Sequence, residues 1–180
     1  MRILESTELG IKIDYHVYIT KPTFNTKIKP IEIQLIADSN CYHVKAFNYD
    51  TKERIIWDSF DYLKEARKKY HNIQAEIMQE LLCEYFNNTI SGSGIDSEFT
   101  KGRIQKNSKF KITSSFHCMN ENGFYTGWQD FTLVFDPTDL SNFRLHFTGN
   151  RNLERRYMLR DYLEELVYYS VERFIELNIN

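Results

Sequence analysis

The chain lacks long hydrophobic runs, paired cysteines and an excess of either charge. No stretch approaches the ~18 apolar residues that span a bilayer, and Glu5 and Glu8 lie where a signal peptide would be apolar. The cysteines Cys41, Cys83 and Cys118 are odd in number and form no C-x-x-C pair, which argues against a disulfide framework and a zinc site. The net charge of -2 excludes a globally basic nucleic-acid binder. We therefore expect a cytoplasmic protein with reduced thiols and no membrane partner.

Known phosphate-binding and metal-binding motifs are also missing. The segment SGSGIDSEF (91–99) fits neither G-x-x-x-x-G-K-[ST] nor G-x-G-x-x-G, and the five histidines show neither H-x-x-x-H nor H-E-x-x-H spacing. We therefore expect no cofactor and no metal. Hydrophobic residues, by contrast, make up 42% of the chain, with 12 Tyr and 13 Phe among its 180 residues. Such a chain can bury a core, and we expect one folded domain over residues 1–180.

Alternating hydrophobic residues predict that the N-terminal part is rich in β-strands. The alternation covers residues 10–20 and 31–37, and residues 41–50 and 54–58 are typical of a hairpin with its turn at 49–52. From Asp58 the hydrophobic period becomes that of a helix, with Asp58 or Ser59 as the expected N-cap. The hydrophobic stripe of this first helix consists of Leu63, Ala66, Tyr70, Ile73, Ile77, Leu81 and Tyr85.

The second half predicts a three-stranded meander followed by a helix. The strands are expected at 108–119, 125–136 and 142–149, and the helix from about Asn152 to Leu177. The fold class is therefore α+β, in the order β-rich N-terminal part, helix, meander and C-terminal helix, with each antiparallel sheet covered by a long amphipathic helix. DYLKEA at 61–66 is echoed by DYLEEL at 161–166. The halves 1–90 and 107–180, joined by a flexible loop at 91–106, are therefore either a degenerate duplication or similar by chance.

One face of the predicted meander is polar. It consists of Lys109, Lys111, His117, Asp130, Thr132, Arg144 and His146. His117 and His146 as acid and base, with Asp130 and Arg144 beside them, are residue types that could cleave a phosphodiester in an RNase-like enzyme. The solvent face of an antiparallel sheet is, however, ordinarily polar. We favour a protein that is not an enzyme and keep catalysis as the alternative.

Basic residues at the start of the second predicted helix oppose the helix dipole. They are Arg151, Arg155, Arg156 and Arg160. A cation at a helix start costs about 0.3 to 1 kcal/mol, and either a bound anion or internal ion pairs, such as Arg160 with Glu164, would offset that cost. A second basic run contains Lys101, Arg103 and Lys106. We predict that these seven basic residues bind an anionic partner.

The segments NENGFYTGWQDFTLVF and RDYLEELVYYSVE resemble small accessory proteins of phages and mobile elements of Gram-positive bacteria, a group that includes anti-CRISPR proteins. The resemblance implies a non-catalytic inhibitor that contacts a host defence nuclease or its nucleic acid in the bacterial cytoplasm. A nucleic-acid-binding module and a homodimer joined through Tyr157, Tyr168 and Tyr169 remain alternatives from the residues alone.

Overall fold

The computed structural model describes residues 1–9, 31–48, 51–91, 98–119, 122, 124–148 and 157–178. These residues form two four-stranded antiparallel sheets and two long helices, which confirms the α+β class. The first sheet has the order β1 (Arg2–Leu9), β2 (Ile31–Ala37), β3 (Tyr42–Asn48) and β4 (Arg54–Phe60), followed by α1 (Leu63–Thr89). The second has the order β5 (Thr100–Lys101), β6 (Phe110–Met119), β7 (Tyr125–Asp136) and β8 (Asp139–Thr148), followed by α2 (Tyr157–Asn178).

Two strands are missed by the sequence analysis. β1 has the sequence RILESTEL, and its pairing with β2 shifts between Ile3 and Glu5, so its hydrophobic residues do not alternate regularly. β5 has only two residues and pairs with β6, which adds a fourth strand to the predicted meander. The strand predicted at 10–20 lies outside the described residues.

The first helix begins later than predicted. Asp58 and Ser59 were the expected N-caps, but both belong to β4, where they lie opposite Val44 and His43. Strand pairing continues to Phe60, and the N-cap is Tyr62, whose side chain makes no capping hydrogen bond. The predicted N-cap is therefore wrong, because cross-strand pairing uses the residues that local sequence preference assigns to the helix start.

α1 is the element on which both sheets pack. Arg67 and Lys69 form ion pairs with Glu5 and Asp58 of the first sheet, at 2.7 Å and 3.1 Å. Further along the helix, the ring of Phe86 packs against the second sheet and the segment that leads into it. The ring centroids of Phe99 and Phe135 lie 5.2 Å and 6.1 Å from that of Phe86.

The buried side chains of both sheets and both helices form one continuous hydrophobic cluster. α2 joins it by packing against β8 and against α1, where the rings of Phe174 and Tyr85 meet edge to face at 5.4 Å. The cluster leaves one face of each sheet directed away from α1, and these two outer faces present the polar side chains considered next.

Candidate functional site

The outer face of the second sheet brings together most of the polar residues that the sequence predicts there. Lys111 and Arg144 lie on either side of Val134, and His146 lies opposite Thr132. A groove of about 470 Å³ runs over this part of the sheet. Its ionisable lining consists of Lys109, Lys111, Asp136, Asp139, Arg144 and His146. Three Lys or Arg side chains and two Asp side chains line this groove, so its formal charge is nearly balanced.

The same register separates the two histidines of the RNase-like alternative. His117 lies opposite Trp128, whereas His146 lies opposite Thr132, four positions further along β7 and on the other side of it. Strand geometry then places their backbones about 16 Å apart. His117 instead contacts Trp128, at a ring-centroid distance of 4.1 Å. Acid and base must both reach the atoms of one scissile bond, and this arrangement does not bring them to a common point.

At one end of the groove, Asp136 fixes the turn between β7 and β8. The backbone N–H and the hydroxyl of Thr138 both donate to Asp136 Oδ1, at 3.0 Å and 2.7 Å. The hydroxyl hydrogen bond is the main reason why the pKa of the Asp136 carboxyl lies below its usual value, and Lys109 lowers it further. The Lys109 ammonium is 3.7 Å from this carboxylate. Asp136 and Lys109 therefore have structural partners in the turn itself.

The arginines predicted to bind an anion lie at and before the start of α2. Arg151, Arg155 and Arg156 lie outside the described residues, and for Arg160 only the backbone of α2 is described. The anionic partner predicted for these arginines stays a prediction. On the visible face of α2, Tyr168 and Tyr169 are exposed, and a hydrogen bond to Glu172 raises the pKa of the Tyr168 hydroxyl.

The second basic run is held in place by α1. Three amide side chains project from one side of the helix, because about two helical turns separate each from the next: Asn72, Gln79 and Asn87. The Gln79 amide donates to the carbonyls of Gly102 and Lys111, both at 2.7 Å. The Asn87 amide accepts from the N–H of Phe99 at 2.7 Å and donates to its carbonyl at 3.0 Å.

These contacts fix residues 98–106, which the sequence analysis places in a flexible loop. Lys101 lies 3.9 Å from Glu80 of α1, while Arg103 and Lys106 are exposed. Gly102 is required here because a Cβ at this position would lie 2.8 Å from Lys111 Cβ. The remainder of that loop, 92–97, is outside the described part of the chain.

A second surface, which the sequence analysis misses, lies on the outer face of the β3–β4 hairpin. We call it the hairpin face, and it consists of Lys45, Phe47, Lys52, Arg54 and Trp57. Lys45 lies opposite Trp57, and Phe47 lies opposite Arg54, so cations and aromatic rings alternate both along and across the two strands. In KAFNYDTKERIIW, Lys45 and Phe47 have the two-residue spacing of one strand face. Arg54 and Trp57 are three residues apart and share that face only because the pairing of β3 with β4 shifts between Ala46 and Phe47, which the sequence does not reveal.

Each cation of the hairpin face lies over an aromatic ring. The Lys45 ammonium is 5.1 Å from the ring centroid of Phe47 and 5.6 Å from that of Trp57. The Lys52 ammonium is 5.6 Å from Phe47, and the Arg54 guanidinium carbon is 5.9 Å from Trp57. Trp57 is nevertheless 42% exposed. The rings therefore have cationic neighbours and accessible surface at the same time.

Two acidic residues near the hairpin face are directed elsewhere, whereas Glu53 is exposed in the turn next to Arg54. Asp58 forms its ion pair with Lys69 on the α1 side of the sheet. Glu32, opposite Phe47, is only 8% exposed and accepts hydrogen bonds from Ser6 and Gln34. Lys45, at the centre of the hairpin face, therefore has neither of these two carboxylates exposed beside it on the outer face of the described strands, and its charge favours an anion there.

Within the described residues, no three His, Cys, Asp or Glu side chains come together as a metal site would require. Neither described helix combines the length and the apolar character needed to cross a membrane. No family model, no curated protein and no solved structure matches the chain. A function must therefore be inferred from the chemistry of these two faces.

Proposed function

We propose that the protein is a non-catalytic nucleic-acid-binding module that holds single-stranded DNA or RNA on its hairpin face. The observation that carries the proposal is the cross-strand alternation of Lys45 with Trp57 and of Phe47 with Arg54. Proteins that bind single strands combine aromatic rings, on which bases stack, with cations that neutralise the backbone phosphates. The hairpin face has both on one rigid two-stranded surface.

Size and charge set the expected strength of binding. Two rings offer stacking positions for two bases, and each stacked base contributes about 1 to 3 kcal/mol. Three side-chain cations that neutralise phosphates of a single strand release its bound counterions, which gives a slope of log K against log[salt] of about -2. We therefore expect modest, sequence-tolerant affinity that weakens about twentyfold between 0.05 M and 0.2 M salt.

The test is a fluorescence-anisotropy titration with labelled single strands of about 12 nucleotides, oligo(dT) and oligo(U), at low salt. Trp57→Ala and Phe47→Ala should each weaken binding about tenfold or more, which corresponds to ~1.4 kcal/mol. Lys45→Glu should weaken binding and also reduce the salt slope. In a Trp128→Phe background, the fluorescence of Trp57 should be quenched when a base stacks on it.

Trp128→Ala is the matched control, because Trp128 is 51% exposed but lies on the second sheet. It should leave the affinity unchanged. The proposal is overturned if single strands do not bind at low salt, or if the hairpin variants bind as tightly as the unmodified protein.

The same face also suits the inhibitor hypothesis, since an anionic surface of a host nuclease, or the nucleic acid bound to it, would complement the cations of this face. A pull-down from bacterial lysate, with and without nuclease treatment, separates the two cases. Loss of all captured material after nuclease treatment supports the nucleic-acid module. Capture of a host nuclease that survives the treatment, and that Lys45→Glu abolishes, replaces it with inhibition through protein contact.

A further inference from the structure

Cys41 lies in a hydrogen-bonded cluster at the other end of the β3–β4 hairpin. Its Sγ is 3.3 Å from His43 Nε2, and His43 Nδ1 is 2.9 Å from Ser59 Oγ, directly across the sheet. The carboxylate of Asp38, in the turn before β3, is 3.9 Å from the same Nε2. When the imidazole carries its proton on Nδ1, that N–H donates to Ser59 and the free Nε2 accepts the thiol proton.

This arrangement has the parts of an activated thiol. The nucleophile is within reach of a base, and the base is held in orientation by a third group, Ser59. Asp38 is placed to stabilise the imidazolium that forms when His43 takes up the proton. Cys41 is only half-buried, so a small reagent can reach its sulfur.

Cys83 provides the contrast within the same molecule. It belongs to α1 and is buried, and burial raises the pKa of its thiol to about 12. The thiolate is the reactive form of cysteine. Cys83 is therefore unreactive for two reasons: reagents cannot reach its sulfur, and its thiol stays protonated. A reagent that modifies Cys41 but not Cys83 reports on the environment of Cys41.

We propose that Cys41 is a modification site at which the protein forms mixed disulfides with low-molecular-weight disulfides. The Cys41 thiol transfers its proton to His43 Nε2, and the thiolate attacks one sulfur of the disulfide. A new S–S bond forms to Cys41 while the bond within the reagent breaks. The second half of the reagent leaves as a thiolate and takes the proton from His43. The step needs no other oxidant, and it does not depend on the nucleic-acid proposal.

The probe is glutathione disulfide, applied to the native full chain with Cys118→Ser, so that Cys41 and Cys83 are the thiols present. Peptide mass spectrometry should find the glutathione adduct on Cys41 and not on Cys83. The rate should exceed that of N-acetylcysteine under the same conditions. His43→Gln should slow the reaction at least tenfold, since a general base typically contributes about 10²- to 10⁴-fold. Ser59→Ala should slow it less.

His71→Gln is the matched control, since His71 lies on α1 beside Tyr70, and it should react at the unmodified rate. Circular dichroism checks that each variant is folded. Where His43→Gln fails this check, the comparison of Cys41 with N-acetylcysteine decides alone. Modification of Cys83 before Cys41, a rate no faster than that of N-acetylcysteine, or a folded His43→Gln protein that reacts as fast as the original would each overturn the proposal.

Discussion

Gln79 ties the second basic run to the core through two hydrogen bonds. It is 4% exposed, and its amide nitrogen donates to two carbonyl oxygens at 2.7 Å. Gln79→Glu keeps the shape of the side chain but replaces the amide nitrogen with a carboxylate oxygen. This oxygen has no proton to donate to the two carbonyl oxygens. We expect a loss of about 2 to 3 kcal/mol in the free energy of unfolding, because a buried polar group is left unsatisfied. Urea denaturation measures this loss.

The control for this prediction is Gln105→Glu, the same exchange in the segment that Gln79 anchors. Gln105 lines the groove beside Lys109 and Lys111, and we expect a change within ~0.5 kcal/mol. Amide hydrogen exchange over residues 98–111 should become faster in Gln79→Glu and stay the same in Gln105→Glu. Equal stability of the two variants would show that the two hydrogen bonds of Gln79 contribute nothing to the free energy of unfolding.

At the residue scale, alternation along one strand could be predicted but pairing between strands could not. The polar set on the second sheet follows from period two, and the structure places Lys111, Arg144 and His146 on one face. The contact between His43 and Ser59 depends on the register of β3 against β4. The distance between His117 and His146 depends on register as well, which is why the sequence places them in one site and the structure separates them.

At the element scale, strong periodicity made β2 and α1 predictable, and competing pairings explain the errors. β1 is missed because its bulge interrupts the alternation near Glu5. The start of α1 is misplaced because Asp58 and Ser59 complete β4. The predicted stripe of α1 also covers only part of what is buried, since Gln79 and Phe86 are buried by the second sheet. A one-dimensional pattern does not state how many layers will pack on a helix.

The N-terminus of α1 offers a stabilising substitution. Tyr62 has the extended conformation of an N-cap, with φ -117 and ψ 132, but its side chain cannot accept from the free N–H groups of the first turn. It is 69% exposed, so little packing is lost when it is replaced. We expect Tyr62→Asp to raise the free energy of unfolding by about 1 kcal/mol through a capping hydrogen bond and the helix dipole.

The comparison for this substitution is Tyr62→Ala, which removes the same ring and adds no acceptor. Both variants are measured by urea denaturation beside the original protein. Tyr62→Asp should be the more stable of the two by the full capping contribution. If the two variants unfold at the same urea concentration, the first turn of α1 gains nothing from a side-chain cap.

At the scale of the whole molecule, the described residues of both halves have the same order of elements: a four-stranded antiparallel sheet followed by a long helix. The similarity of DYLKEA and DYLEEL agrees with this order, although the first of these segments lies at the start of α1 and the second within α2. The halves are not equivalent in the core, because α1 packs on both sheets whereas α2 packs on β8 and α1. The sequence leaves a degenerate duplication and a chance similarity open, and the packing makes one of the two helices central.

The central position of α1 predicts that the two sheets unfold together. The chain has two tryptophans, Trp57 on β4 and Trp128 on β7, so Trp128→Phe and Trp57→Phe each leave one fluorescent reporter, on the first and second sheet respectively. With one continuous core, the two reporters should give coincident urea transitions.

Phe86→Ala, added to each of these single-tryptophan proteins, empties a fully buried position of α1. It should lower the free energy of unfolding that each reporter measures by about 3 to 5 kcal/mol. Phe124→Ala, at a position 69% exposed, should change neither by more than ~0.5 kcal/mol. Separate transitions, or a shift at Trp128 alone, would mean that the halves fold independently and that the contact of α1 with the first sheet does not couple them.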